Sequence, residues 1–207
     1  MASPDLISEL VKPLERDLRL REGFFVHLQN EDDWSFIIKG HAFLEAVFSH
    51  VLSKAIANDD LKEIFTELEF SNHKTGKVAF ANALGLLSPE DRRFLRTFSE
   101  LRNRVVHDVT QTRFDLSEYI ASLDHNQRRS FAEAFSLSPA DSELAAIPAQ
   151  ERPSSYVLHS PKEAIWVAIM ALSSKMYFGP KFPIFFLFLV LLQGWLGSIS
   201  KDGSTEL

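Results

Sequence analysis

Apolar residues recur at helical spacing along almost the whole chain. No stretch shows the sustained alternation of apolar and polar residues that a half-buried strand requires. The clearest helical pattern runs from Asp33 to about Ile56, and Asp32 or Asp33 can cap its start. Its apolar stripe consists of Phe36, Ile37, Gly40, His41, Leu44, Val47, Phe48, Val51 and Leu52. This periodicity predicts an all-α fold.

Shorter segments predict further helices. Asn58 can cap one of them, whose apolar face comprises Leu61, Ile64, Phe65 and Leu68. A second covers residues 76–87, and its apolar residues are Val78, Phe80, Ala81, Leu84 and Leu87. The segment 124–129 predicts another helix start with a solvated face.

Four Ser-Pro pairs mark predicted helix starts. At Ser88 and at Ser160 the serine can cap the helix, proline takes the first helical position, and an acidic residue follows three positions after the serine. The pair at Ser138 has the same arrangement, and the pair at Ser3 matches it less closely. The helix after Pro89 is predicted to bury Phe94, Leu95, Phe98, Leu101 and Val105. The helix from Pro161 to about Tyr177 has an apolar face of Ile165, Trp166, Ile169, Met170 and Leu172.

The length of 207 residues fits one domain, or one domain with an appendage. Residues 1–178 are predicted to form the helical domain. Within it, residues 136–160 are rich in Ser, Pro and Ala and predict a long loop or spacer. The chain has no cysteine, which rules out disulfides and thiolate metal sites and fits a reducing compartment.

An apolar run without charged residues, FPIFFLFLVLLQGWLGSI, occupies residues 182–199. As a helix it would be about 27 Å long, close to the lower limit for crossing a bilayer. Lys175 and Lys181 precede it, which predicts a C-terminal anchor that holds the rest of the chain at the cytoplasmic face of the membrane. Gln193 and Gly194 dilute the run, so a buried core helix in a soluble cytoplasmic protein, or a dimerisation face, is the alternative.

Residues 101–107, Leu-Arg-Asn-Arg-Val-Val-His, form the segment best suited to chemistry. The guanidinium of Arg102 can grip a phosphate through two hydrogen bonds and stays protonated. The imidazole of His107 can give or take a proton near neutral pH. With the amide of Asn103 between them, these groups suffice to cleave RNA without a metal or a cofactor. Arg102, Asn103 and His107 are therefore the catalytic candidates.

The geometry of this motif limits how it can work. On an uninterrupted helix, Arg102 and His107 would lie about 140° apart, whereas Asn103 and His107 share a face. Convergence on one phosphate requires the helix to end or distort between them, or a second copy of the chain to supply the missing partner.

The charge around the motif allows two interpretations. The chain carries a net charge of −6, so an RNA contact needs a local basic patch. Arginines supply one near the motif, namely Arg92, Arg93, Arg96, Arg102 and Arg104. The alternative is a structural surface in which these arginines favour the helix dipole and pair with acids such as Glu100.

His41 and Glu45 have the i, i+4 spacing of two metal ligands. No second pair accompanies them, and metals of this kind need three or four ligands. His41 is therefore predicted to be a core histidine that is hydrogen-bonded to a neighbouring helix. No metal site is predicted.

Residues 76–80 with the following Gly85-Leu86-Leu87, and then residues 101–107, together resemble the HEPN superfamily. Residues 39–45, Lys-Gly-His-Ala-Phe-Leu-Glu, are similar to HEPN members near the mannitol operon repressor. The resemblance covers roughly residues 30–178. It implies a small helical bundle that forms a homodimer.

Many HEPN proteins are metal-independent endoribonucleases in which an arginine is followed by a polar residue and then, a few residues later, by a histidine. Arg102, Asn103 and His107 match that pattern. The resemblance implies that the chain is of the RNase-toxin type, cuts RNA to a 2′,3′-cyclic phosphate, and has a regulatory protein partner. At Val109 it departs from the toxin branch that is silenced by nucleotidylation, which has a tyrosine there.

Two other functions remain open. One is a non-catalytic regulator or adaptor that acts by protein contacts, similar to the mannitol operon repressor group. The other is a membrane-tethered helical interaction module with no connection to RNA.

Overall fold

The computed structural model describes residues 4–56, 61–72, 74–106, 113–136 and 153–179. These residues form helices and contain no strand, which confirms the all-α prediction for this part of the chain. The helices are α1 (Pro4–Asp17), α2 (Phe24–Gln29), α3 (Asp33–Ile56), α4 (Leu61–Glu67), α5 (Lys77–Ala83), α6 (Pro89–Val106), α7 (Leu116–Ser122), α8 (His125–Phe135), α9 (Pro153–His159) and α10 (Pro161–Phe178).

Helix α3 is the longest helix of the described residues and packs against α2, α4, α5, α6 and α10. Its start is capped as predicted, because the Asp32 carboxylate accepts a hydrogen bond from the Ser35 amide at 2.9 Å. The predicted stripe is buried except for Val51, which is half-buried. Phe43, outside the predicted stripe, is buried as well, since α2 covers that side of the helix through Phe24 and Phe25.

Helix α6 begins at the Ser88-Pro89 pair as predicted. The Asp91 amide donates to the Ser88 hydroxyl at 3.2 Å, and the Ser88 amide donates to the Asp91 carboxylate at 2.7 Å. This reciprocal pair satisfies backbone donors that the first turn of a helix leaves unpaired. The predicted buried face is confirmed in full: Phe94, Leu95, Phe98, Leu101 and Val105 are all buried. This face packs against α3 and α8, so α6 has one side in the core and one side in solvent.

Helix α10 lies at the centre of the described core. Every residue from Ala164 to Ser174 is buried, whereas the sequence predicted burial of one face only. The reason is that α10 contacts α2, α3, α7, α8 and α9, which together cover all its sides. The Trp166 indole donates to the Phe25 carbonyl at 3.1 Å, so the polar atom of this large side chain is satisfied inside the core.

The spacer prediction for residues 136–160 is wrong over residues 153–159, which form α9. Val157 is buried there, and α9 packs against both α8 and α10. A seven-residue helix has too few turns for its periodicity to stand out among Ser and Pro residues. The predicted helix start at Ser138 and the residues up to 152 lie outside the described part of the chain.

The predicted apolar faces of α4 and α5 are corrected in part. Phe65 on α4 and Val78 and Ala81 on α5 are buried, but Ile64, Phe80 and Leu84 are exposed to 56%, 40% and 45%. These short helices pack against α3 on one side only, so helical spacing overestimates how much of their surface is covered. The predicted cap of α4, Asn58, lies outside the described residues.

The predicted membrane anchor at residues 182–199 also lies outside the described residues. Among the helices that the structure does describe, none combines the length and the apolarity needed to cross a membrane.

Candidate functional site

The end of α6 carries two of the three catalytic candidates. Arg102 and Asn103 lie in its last turns, before the helix ends at Val106. His107, the third candidate, lies outside the described residues. The structure thus places Arg102 and Asn103 side by side. Their convergence with His107 on one phosphate stays a prediction.

The Arg102 side chain is half-buried and oriented by its neighbour. One of its guanidinium nitrogens, Nη1, donates to Asn103 Oδ1 at 3.0 Å. No acidic group within the described ranges forms an ion pair with Arg102, and the expected pairing with Glu100 is absent there. Since a guanidinium has five N–H donors, the bond to Asn103 uses only one of them.

Contacts from α3 and α7 fix the end of α6 in the fold. The Trp34 indole donates to the Val105 carbonyl at 3.2 Å, which satisfies one acceptor that the helix terminus leaves unpaired. The Arg104 guanidinium lies 5.3 Å from the centre of the Tyr119 ring, a cation–π contact. Residues 101–106 of the motif therefore lie on a helix end that is held by contacts to α3 and α7.

His41 lies in the core behind this surface, as the sequence predicts. Its Nε2 atom shares a hydrogen bond of 3.2 Å with the Ser99 hydroxyl of α6. Burial, and in second place the positive charge of Arg102, lower the pKa of His41 from 6.5 to about 4, while Glu45 acts in the opposite direction. The imidazole is thus neutral at pH 7.

Glu45, which shares the i, i+4 spacing with His41, has a different partner. The Lys77 ammonium, which is almost fully buried, donates to Glu45 at 2.7 Å and to the Thr66 carbonyl at 3.3 Å. Within the described ranges, no group of three or more His, Asp or Glu side chains is arranged to hold a metal ion. The pair instead ties α5 to α3 through a buried charge.

A cleft of about 350 Å³ lies between α5 and the first three turns of α6. Its lining includes three arginines and no acidic residue, and consists of Ser71, Val78, Ala79, Asn82, Pro89, Arg92, Arg93, Leu95, Arg96 and Ser99. The sequence indicated the basic stretch of α6 but not the cleft. The opposing wall comes from α5, and only tertiary packing brings α5 to this side of α6.

The cleft and Asn103 share one side of α6. Arg92, Arg96, Ser99 and Asn103 follow one another at intervals of four, three and four residues, which places them on one stripe of the helix. Arg102 flanks that stripe beside Ser99. Arg92, Arg96 and Asn103 are thus exposed on one side of α6, and Ser99 between them is buried.

Comparison with known proteins finds no match for this chain among family models, curated proteins or solved structures. Membership of the HEPN superfamily therefore stays a prediction that rests on the sequence motifs.

Proposed function

We propose that this protein is a metal-independent endoribonuclease of the HEPN type. In this proposal Arg102, Asn103 and His107 act on one phosphodiester of the RNA, and a homodimer completes the site. The observation that carries the proposal is the state of Arg102. This guanidinium sits on a rigid helix end, bonds to the neighbouring Asn103 amide, and forms no ion pair with an acid in the described residues.

The reaction needs only proton transfer and charge stabilisation. The ribose 2′-oxygen attacks phosphorus, its proton passes to a nitrogen of His107, and the bond from phosphorus to the 5′-oxygen breaks. A proton returned by a histidine converts the leaving oxygen to a 5′-hydroxyl, and the other product is a 2′,3′-cyclic phosphate. Arg102 stabilises the negative charge on the pentacoordinate phosphorus, and Asn103 positions the guanidinium or donates to the phosphate.

Incubation of the purified protein with total RNA in EDTA tests this proposal. Wild-type chain is expected to cut the RNA and to leave 2′,3′-cyclic phosphate ends. Arg102→Ala and His107→Ala should each reduce the rate at least about 100-fold, because each removes a group that acts in the transition state. The matched control is Arg129→Ala, which removes an exposed arginine from α8 that pairs with Glu133.

Undiminished cleavage by either site variant, with helicity unchanged in circular dichroism, excludes that residue from the mechanism. Loss of cleavage on addition of EDTA contradicts the metal-independent chemistry.

A second candidate function has an observation of its own. Ile64, Phe80 and Leu84 expose apolar surface on α4 and α5, which contact each other through an edge-to-face pair of Phe65 and Phe80. Exposed apolar patches are typical of protein interaction sites. A wild-type chain that leaves RNA intact favours this alternative, a non-catalytic regulator or adaptor that binds a regulatory protein partner.

The proposed location is the cytoplasmic face of a membrane, with the apolar run at residues 182–199 as a C-terminal anchor. Its support is the length of the run, the absence of charge within it, and the lysines that precede it.

A further inference from the structure

The cleft between α5 and α6 has the properties of an anion site. Arg92 and Arg96 are exposed on its α6 wall and lie four residues apart, so their charges face each other on the helix surface. Neither has an ion-pair partner in the described part of the chain, whereas Arg93 is paired with Glu133 at 3.5 Å. Two unpaired like charges at this spacing repel each other and destabilise a helix slightly. A bound anion would offset this repulsion.

Neutral groups complete the lining. Asn82 of α5 is exposed opposite the arginines and can donate through its amide. Ser71 and Ser99 also line the cleft, but the Ser71 hydroxyl donates to Glu69 at 3.3 Å and the buried Ser99 hydroxyl is bonded to His41. Since no acidic side chain contributes to the wall, an entering phosphate meets hydrogen-bond donors and positive charge. Arginine forks match the geometry of phosphate oxygens and bind them through two hydrogen bonds.

We propose that this cleft binds a phosphate of a single-stranded RNA, next to the phosphate that is cleaved. The identity of the strand rests on the proposed function, but the anion site does not. Arg96 and Asn103 are about 10 Å apart along the helix axis and lie on one stripe of α6, with the buried Ser99 between them. Asn103 lies on the side of α6 that faces the cleft, so one strand can contact the cleft and Asn103 along that side.

Equilibrium binding of a short fluorescein-labelled single-stranded RNA tests the proposal. Fluorescence anisotropy is measured with the full-length His107→Ala chain, so that the RNA stays intact. Adding Arg92→Ala and Arg96→Ala together should raise Kd at least about tenfold. It should also lower the magnitude of the slope of log affinity against log salt by about 0.7, the value for one phosphate contact on a single strand.

The matched control removes the same charge elsewhere. Arg16→Ala with Arg129→Ala deletes two arginines whose side chains are 80% and 75% exposed on α1 and α8. This control should change Kd less than about twofold. The variant with Arg92→Lys and Arg96→Lys keeps the charge and loses the forked hydrogen bonds, so it should retain the salt slope and only part of the affinity. Circular dichroism verifies folding of all variants.

Several outcomes overturn the inference. The first is wild-type affinity for the RNA in the variant with Arg92→Ala and Arg96→Ala, and the second is an equal loss of affinity in the control variant. The third is that uridine 5′-monophosphate saturates the cleft and the RNA strand binds no more tightly than this mononucleotide. The cleavage assay separates this inference from the proposed function. A chain that binds RNA through the cleft but does not cut it contradicts only the enzyme. A chain that cuts RNA while the cleft variant binds it normally contradicts only the cleft.

Discussion

Buried polar side chains around α3 are each satisfied in a different way. Lys77 donates to Glu45, while Glu15 accepts hydrogen bonds from the amides of Gly23 and Phe25 at 3.0 and 3.2 Å. His41 gives up its charge, because burial and the nearby Arg102 disfavour the imidazolium.

The neutral state of His41 predicts a loss of stability in mild acid. Its pKa is about 4 in the folded chain against 6.5 without the fold, so the unfolded chain binds a proton between these values and the folded chain does not. The free energy of unfolding therefore falls as the pH drops through this window. Between pH 7 and pH 5, His41 should contribute a loss of about 2 kcal/mol, measured by urea unfolding.

The comparison that isolates His41 is the same pair of measurements on His41→Gln. Glutamine keeps a hydrogen-bonding group near Ser99 but cannot titrate, so the drop between pH 7 and pH 5 should shrink by about 2 kcal/mol. An identical drop in both chains would place the acid sensitivity elsewhere. His27 and His125 are exposed and are present in both chains, so any contribution they make to the drop cancels in the comparison.

At the scale of helices, the Ser-Pro pairs show where local sequence is sufficient and where it is not. Both α6 and α10 begin at the proline, as predicted. The Ser88 hydroxyl accepts the expected capping bond, but Ser160 makes no capping bond with its side chain. Proline in the first turn sets the start in both cases, since its ring fixes φ at a helical value. Whether the serine hydroxyl forms the capping bond depends on the backbone conformation at the start of the helix.

This difference predicts unequal effects of the same substitution. Ser88→Ala should lower the free energy of unfolding by about 1 kcal/mol, the typical cost of losing a capping side chain. Ser160→Ala should lower it by less than about 0.5 kcal/mol, because no capping bond is lost. Urea denaturation at pH 7 measures both. Equal effects of the two substitutions would show that the Ser88 bond adds nothing to the start of α6.

Partner helices decide how much of each apolar face is used. The stripe of α6 is buried as predicted, whereas α10 is buried on all sides and α4 and α5 leave Ile64 and Phe80 exposed. The spacing of apolar residues is the same kind of signal in all these helices. The spacing indicates that a helix has an apolar face to bury. The number of neighbouring helices determines how much of the helix surface is buried.

For the molecule as a whole, the described helices close around α10. Residues far apart in the chain meet there, as in the hydrogen bond from Trp166 to the Phe25 carbonyl. At the end of α10, the Tyr177 hydroxyl donates to Asp17 of α1 at 2.6 Å, which joins the two ends of the described core.

The predicted anchor can be tested on the whole protein. In cells fractionated with a carbonate wash, the full chain should remain in the membrane pellet, because its apolar run is about 27 Å long as a helix. A chain that ends at Gly179 should move to the supernatant and keep its helical circular dichroism signal. Recovery of the full chain wholly in the supernatant would contradict the anchor and favour a soluble cytoplasmic protein.

The all-α class, the starts of α3, α6 and α10, and the core position of His41 follow from the sequence itself. They depend on the capping and spacing of residues within about four positions of each other, and these signals act locally. The burial of α10 on every side, the Lys77–Glu45 pair and the arginine cleft were decided by tertiary structure alone. Each needs helices that are distant in the chain to pack together, and periodicity along one helix carries no information about its neighbours.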